Sequence, residues 1–79
     1  MSGIVVGRAL RDRFESIRQN ELERLQKKMR GLPDDQRQSV EDITMDVVQA
    51  FASGAERALA QDLPPPALAA LVRLFALDV

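Results

Sequence analysis

The chain has no cysteine, no histidine, no tryptophan and no tyrosine. Without cysteine no disulfide can form, and without cysteine and histidine the usual ligands of a structural zinc are gone. A chain of 79 residues buries only a thin core. Domains of that size commonly lean on a disulfide, a metal or a partner subunit, and only the partner stays open here. Phe14, Phe51 and Phe75 are the only aromatic residues. No apolar run reaches the roughly 18–20 residues that span a bilayer. No basic-then-apolar opening marks a secretory signal. The expected compartment is the cytoplasm, with no membrane partner. Neither GxGxxG nor GxxxxGK occurs, so no phosphate cradle is visible. No nucleophile–base pair suggests covalent catalysis. The reading is therefore no catalytic residue, no cofactor site and no metal site within this stretch. Asp34-Asp35 lacks a second acidic cluster, and Asp42 with Asp46 lacks a third ligand. A solvated helix surface accounts for all four.

What is present is helical periodicity and charge. The stretch Arg13 to Leu32 reads as the middle of a long amphipathic helix starting near Ile4 and ending near Arg30. Val6, Leu10, Phe14, Ile17, Leu25, Met29 and Leu32 form one stripe at spacings of three and four, with one longer step. At ~1.5 Å per residue such a helix is about 35 Å long, so its stripe needs a cover. Glu21 interrupts the stripe, with Arg18 and Arg24 within a turn on either side. It is either an exposed carboxylate in a local ion pair or a charge in a subunit interface that sets register. Gly31 is expected to cap this helix in a left-handed conformation, and Pro33 blocks its continuation.

Asp34 and Asp35 suit the first turn of a second helix, where carboxylates meet the positive end of the dipole. That helix is expected to reach about Ala52, with Val40, Ile43, Val47 and Phe51 as its stripe. The loop between the two helices is short, which predicts antiparallel neighbours. Ser53-Gly54 reads as a break, followed by a short third helix from Ala55 to Gln61 with Ala58 and Leu59 inside. Pro64-Pro65-Pro66 reads as a stiff connector with Pro66 at the first helical position. The last helix, Ala67 to Leu77, is too short and apolar to stand alone and should lie as a lid on the first two.

From Arg8 to Arg30 there are eight basic residues against Asp12, Glu15, Glu21 and Glu23. From Pro33 to Ala52 there is only Arg37 against Asp34, Asp35, Glu41, Asp42 and Asp46. A basic helix beside an acidic one favours packing the two together, within a chain or across a dimer. The basic residues wrap around the helix rather than line one face, which argues against a nucleic-acid surface.

The segment ALRDRFESIRQNELERLQKKMRGLPDDQRQSVEDIT resembles the C-terminal dimerisation domain of glutamyl-tRNA reductase. The resemblance is carried by Ala9-Leu10-Arg11, Arg13, Glu15, Ile17-Arg18, Glu21-Leu22, Arg24, Leu32 and Ile43-Thr44. The family's LRELFGL-like ending is matched by Val72-Arg73-Leu74-Phe75-Ala76-Leu77. Val48 to Glu56 departs from the family's VNKLLHAPT-like stretch, losing its histidine and proline. The resemblance implies a fragment of a larger enzyme that reduces glutamyl-tRNA to glutamate-1-semialdehyde with NADPH in tetrapyrrole (porphyrin) biosynthesis. It also implies that the catalytic cysteine, the NADPH site and the contacts to glutamyl-tRNA lie in other domains. Residues 1–7 are then a leader and helix start, and residues 8–79 the helical domain.

The expected architecture is all-α: one long helix and two or three shorter ones, forming a homodimeric bundle. The expected core and dimer interface is Leu10, Phe14, Ile17, Glu21, Leu25, Met29, Val40, Ile43, Val47 and Phe51, with Phe14 and Phe51 as anchors. The rival expectation is a free-standing adaptor that takes a partner helix in a groove.

Overall fold

The computed structural model describes all of residues 1–79 and contains four helices and no strand. They are α1 (Gly3–Arg24), α2 (Gln26–Arg30), α3 (Asp34–Leu59) and α4 (Pro65–Leu74). Ser2 opens α1: its Oγ accepts a hydrogen bond from the Val5 N–H at 3.2 Å, satisfying one of the free donors of the first turn. The long first helix divides at Leu25, whose dihedrals (φ −95°, ψ 15°) leave the helical region for one residue. The Leu25 N–H still donates to the Glu21 carbonyl and the Met29 N–H to the Leu25 carbonyl, so the hydrogen-bond ladder carries across Leu25 from α1 into α2.

Gly31 ends the helix as expected, but its conformation and one later boundary differ. Gly31 ends α2 with φ −77°, in the right-handed region, so it does not act as a left-handed cap. Tight turns close the end instead, Gly31 N–H to Lys28 and Leu32 N–H to Met29, and Pro33 stops the chain. The break expected at Ser53-Gly54 is absent, because α3 runs unbroken through both residues to Leu59. A mid-helix glycine costs only about 1 kcal/mol relative to alanine. Burial of Ala52 and Leu59 on either side outweighs that cost. With no break there is no separate third helix, and Ala58, expected inside, lies exposed while Leu59 is buried.

α1 and α3 form an antiparallel hairpin. Gly3 lies beside Leu59, Gly7 beside Glu56, Arg11 beside Ser53 and Arg18 beside Thr44. Helices this close need small residues at the crossing. A Cβ at Gly3 would stand 1.9 Å from the Leu59 carbonyl oxygen, and one at Gly7 would stand 3.2 Å from Glu56 Cγ. The core is at this end: Val6, Leu10, Leu59 and Leu68 are buried together, with Phe14, Ala55, Leu71, Val72 and Leu77 packed around them.

α4 is the expected lid, but Pro65 rather than Pro66 takes its first position, with Pro64 before it, and it ends at Leu74 rather than near Leu77. It ends in a Schellman turn: the Leu77 N–H donates to the Val72 carbonyl at 2.9 Å and the Ala76 N–H to Arg73 at 3.3 Å. Ala76 takes the left-handed conformation this turn requires, φ 50°. The turn brings Phe75 edge-on to Phe14, ring centroids 6.0 Å apart. Because α4 covers only one end of the hairpin, burial falls along α1 from Val6 and Leu10, both enclosed, through half-buried Phe14 to exposed Ile17.

Candidate association surface

Beyond the α4 lid the hairpin is two helices thick and its apolar residues lack a cover. In the isolated chain Phe51 is 68% exposed, Ile43 61%, Val47 49% and Ile17 43%. Those four sites are successive turns of α3 and the adjoining turn of α1. Ile17, Val47 and Phe51, with Phe14, Val48 and Phe75, border a concavity of about 470 Å³, and Arg18 is the one charged residue on its rim.

The shape agrees. The chain measures 48 × 20 × 12 Å with a radius of gyration of 15.3 Å, against about 11.6 Å for a compact chain of this length. Its accessible surface is 5860 Å², where a compact monomer of its mass would expose about 4,800 Å². The excess, on the order of 1,000 Å², matches the roughly 800 Å² that each partner contributes to a standard interface.

The rim is held by charge. Arg18 donates to both Glu15 carboxylate oxygens (2.6–3.2 Å), to Thr44 Oγ1 at 3.3 Å and to the Glu41 carbonyl at 3.5 Å, stitching α1 to α3. Hydrogen bonding from Arg18 holds the Glu15 carboxyl below its ordinary value, against a smaller opposing effect of burial, and Gln19 adds to the lowering. The reciprocal hydrogen bond raises Arg18. Glu21, the break in the stripe, is exposed in the single chain and pairs at 2.8 Å with Arg24, which lowers its pKa; Arg18 is engaged elsewhere. Between the helices the only side-chain ion pair is Arg11–Glu56, with Ser53 Oγ accepting from the same guanidinium. Asp35, Glu41, Asp42 and Asp46 make no ion pair within the chain.

The ten residues singled out from the sequence divide in three. Leu10 is buried inside the chain. Phe14, Leu25, Met29 and Val40 are half-buried. Ile17, Glu21, Ile43, Val47 and Phe51 face outward. Reasoning from sequence missed Gly3 and Gly7, four residues apart at the tightest helix crossing; that spacing of two glycines was the available signal. No three acidic side chains converge to hold a metal ion, and no helix is long and apolar enough to cross a membrane.

An all-α hairpin with a partial lid, whose remaining apolar face is open along half its length, defines a helical association module. The profile of the family described as glutamyl-tRNAGlu reductase, dimerisation domain, matches residues 6–77. The chain belongs to that family. No curated protein and no solved structure gives a match.

Proposed function

We propose that this chain joins two subunits of a glutamyl-tRNA reductase as a homodimer, through the face that carries Ile17, Ile43, Val47 and Phe51. The observation that carries the reading is the exposure of three apolar residues on consecutive turns of α3, in a chain whose family is named for dimerisation. The parent enzyme would reduce glutamyl-tRNA with NADPH to glutamate-1-semialdehyde, on the path to tetrapyrroles, in the cytoplasm. Substrate, cofactor and catalytic residues would belong to domains outside residues 8–79, and this stretch would supply pairing alone.

Phe51 is the residue to test. A phenylalanine buries about 150–250 Å². About two-thirds of that stays exposed here, so covering it contributes on the order of 3 kcal/mol per subunit at ~25 cal/mol per Å². Sedimentation equilibrium of the wild-type chain should give twice the monomer mass at low micromolar concentration. Phe51→Asp should give the monomer mass with an unchanged helical circular dichroism spectrum. A wild-type chain that stays monomeric at 100 µM would sink the proposal. Phe14 is a poorer probe, since it packs on Phe75 within the chain.

A further inference from the structure

Gly54 has no role inside the chain. It sits within the 26-residue helix α3, and a Cβ built on it would meet nothing within 4 Å. Alanine there would favour the helix by about 0.5–1 kcal/mol. Gly3 and Gly7, by contrast, are each pressed against α3. A glycine on an open helix surface suits close approach by something outside the chain, and the residues around it say what.

Val40, Ile43, Val47, Phe51, Gly54 and Ala58 lie on one strip of α3, within about 40° of the Val47 direction at 100° per residue. The strip carries no charge. Its spacing, 3-4-4-3 from Val40 to Gly54, is a palindrome about Val47. Such a strip is self-complementary in one arrangement, two antiparallel copies related by a two-fold axis. Val40 then meets Gly54, Ile43 meets Phe51, and Val47 meets itself. Each large residue faces a smaller one or an apolar equal.

Charge selects the same direction. Residues 34–46 of α3 carry five acids and one arginine, and residues 47–59 carry only Glu56 and Arg57. A parallel pair would stack the two acidic halves, whereas an antiparallel pair sets each against a neutral half. Four of those acids (Asp35, Glu41, Asp42 and Asp46) have no ion-pair partner in their own chain.

We propose that the partner at this face is a second copy, bound α3 against α3, antiparallel, with the two-fold axis at Val47 and Val40 of each copy seated on Gly54 of the other. This rests on the self-association reading and adds its geometry.

Cysteine cross-linking tests it cleanly, because the chain has no cysteine of its own. Helix axes about 8–10 Å apart, less two Cα radii of ~2.3 Å, leave Cα atoms at the axis about 4–5 Å apart, within disulfide reach. Mild oxidation of the Val47→Cys variant should yield a covalent dimer. Ile43→Cys alone should not, since its two copies stand about 12 Å apart along the helices. An equimolar mixture of Ile43→Cys and Phe51→Cys should link one to the other. Gly54→Leu should keep the helical spectrum and weaken the dimer at least tenfold. Self-linking by Ile43→Cys would mean parallel packing and overturn the geometry. A wild-type dimer with an unlinked Val47→Cys, or an unweakened Gly54→Leu dimer, would overturn it too while leaving self-association intact. A monomeric wild type overturns both, and leaves a foreign helix as the occupant of the groove.

Discussion

Replacing Gly3 by alanine would put a methyl group 1.9 Å from the carbonyl oxygen of Leu59. The obstacle is backbone, so no rotamer change relieves it. Either α1 and α3 move apart at their tightest crossing, or the first turn of α1 or last turn of α3 frays. The first route loosens Val6 and Leu59, both in the core cluster; the second loses the Ser2 cap or the burial of Leu59. Overpacking of this kind costs about 1–3 kcal/mol. A domain of this size has on the order of 4–12 kcal/mol to lose. At about 4–8 °C per kcal/mol, Gly3→Ala should lower the melting temperature by at least ~5 °C. The same methyl at Gly54 meets open space. There it should raise the melting temperature by a few degrees, from a helix-propensity gain of about 0.5–1 kcal/mol. At Gly7 the nearest atom is the flexible Glu56 Cγ at 3.2 Å, so the effect should fall between the two. The assay is thermal denaturation followed at 222 nm, with all three variants built on Phe51→Asp so that chain association does not enter. Equal melting temperatures for Gly3→Ala and Gly54→Ala would refute the placement of α1 against α3.

Three further outcomes follow from single contacts. Ala76 holds a left-handed conformation that costs a non-glycine residue about 1–2 kcal/mol; Ala76→Gly should therefore gain about 0.5–1 kcal/mol, read as a rise in melting temperature. Phe14→Ala should lower the stability of the single chain by about 2–3 kcal/mol through lost packing on Phe75, whereas Phe51→Ala should leave it nearly unchanged; denaturant titration of dilute samples separates them. Arg18 holds Glu15 below its ordinary value of 4.5. The folded chain thus binds that proton more weakly than the unfolded one, so the stabilisation is complete above about pH 5 and is lost as pH falls through the depressed value. The melting-temperature gap between wild type and Glu15→Gln should close on acidification from pH 7 to about pH 3, and a gap that stays constant would contradict the Arg18–Glu15 pairing.

The sequence carried the helices well because helix formation here is mostly local. Pro33 ends one helix and Asp34-Asp35 begin the next by chemistry that acts within a few residues. Ser53-Gly54 misled because propensity is a weak local preference, and Leu59 beyond it is packed with Val6 and Leu10, some fifty residues earlier in the chain. The crossing at Gly3 was hidden for the same reason: the four-residue spacing of Gly3 and Gly7 marks a face open to close approach, but it does not say that the Leu59 carbonyl fills it. The association surface was half legible. Periodicity put Leu10, Phe14 and Ile17 on one stripe and Ile43, Val47 and Phe51 on another, but it cannot say which stripe a neighbour within the chain will cover. That is settled by the ten residues of α4. At about 15 Å they are too short to roof a hairpin whose longest dimension is 48 Å. The lid reaches Leu10 and Phe14 and stops. Ile17, Ile43, Val47 and Phe51 stay open because α4 stops at Leu74 in the turn through Ala76, short of all four, and a helix carried past Leu74 along the hairpin would compete with the second copy proposed for that face.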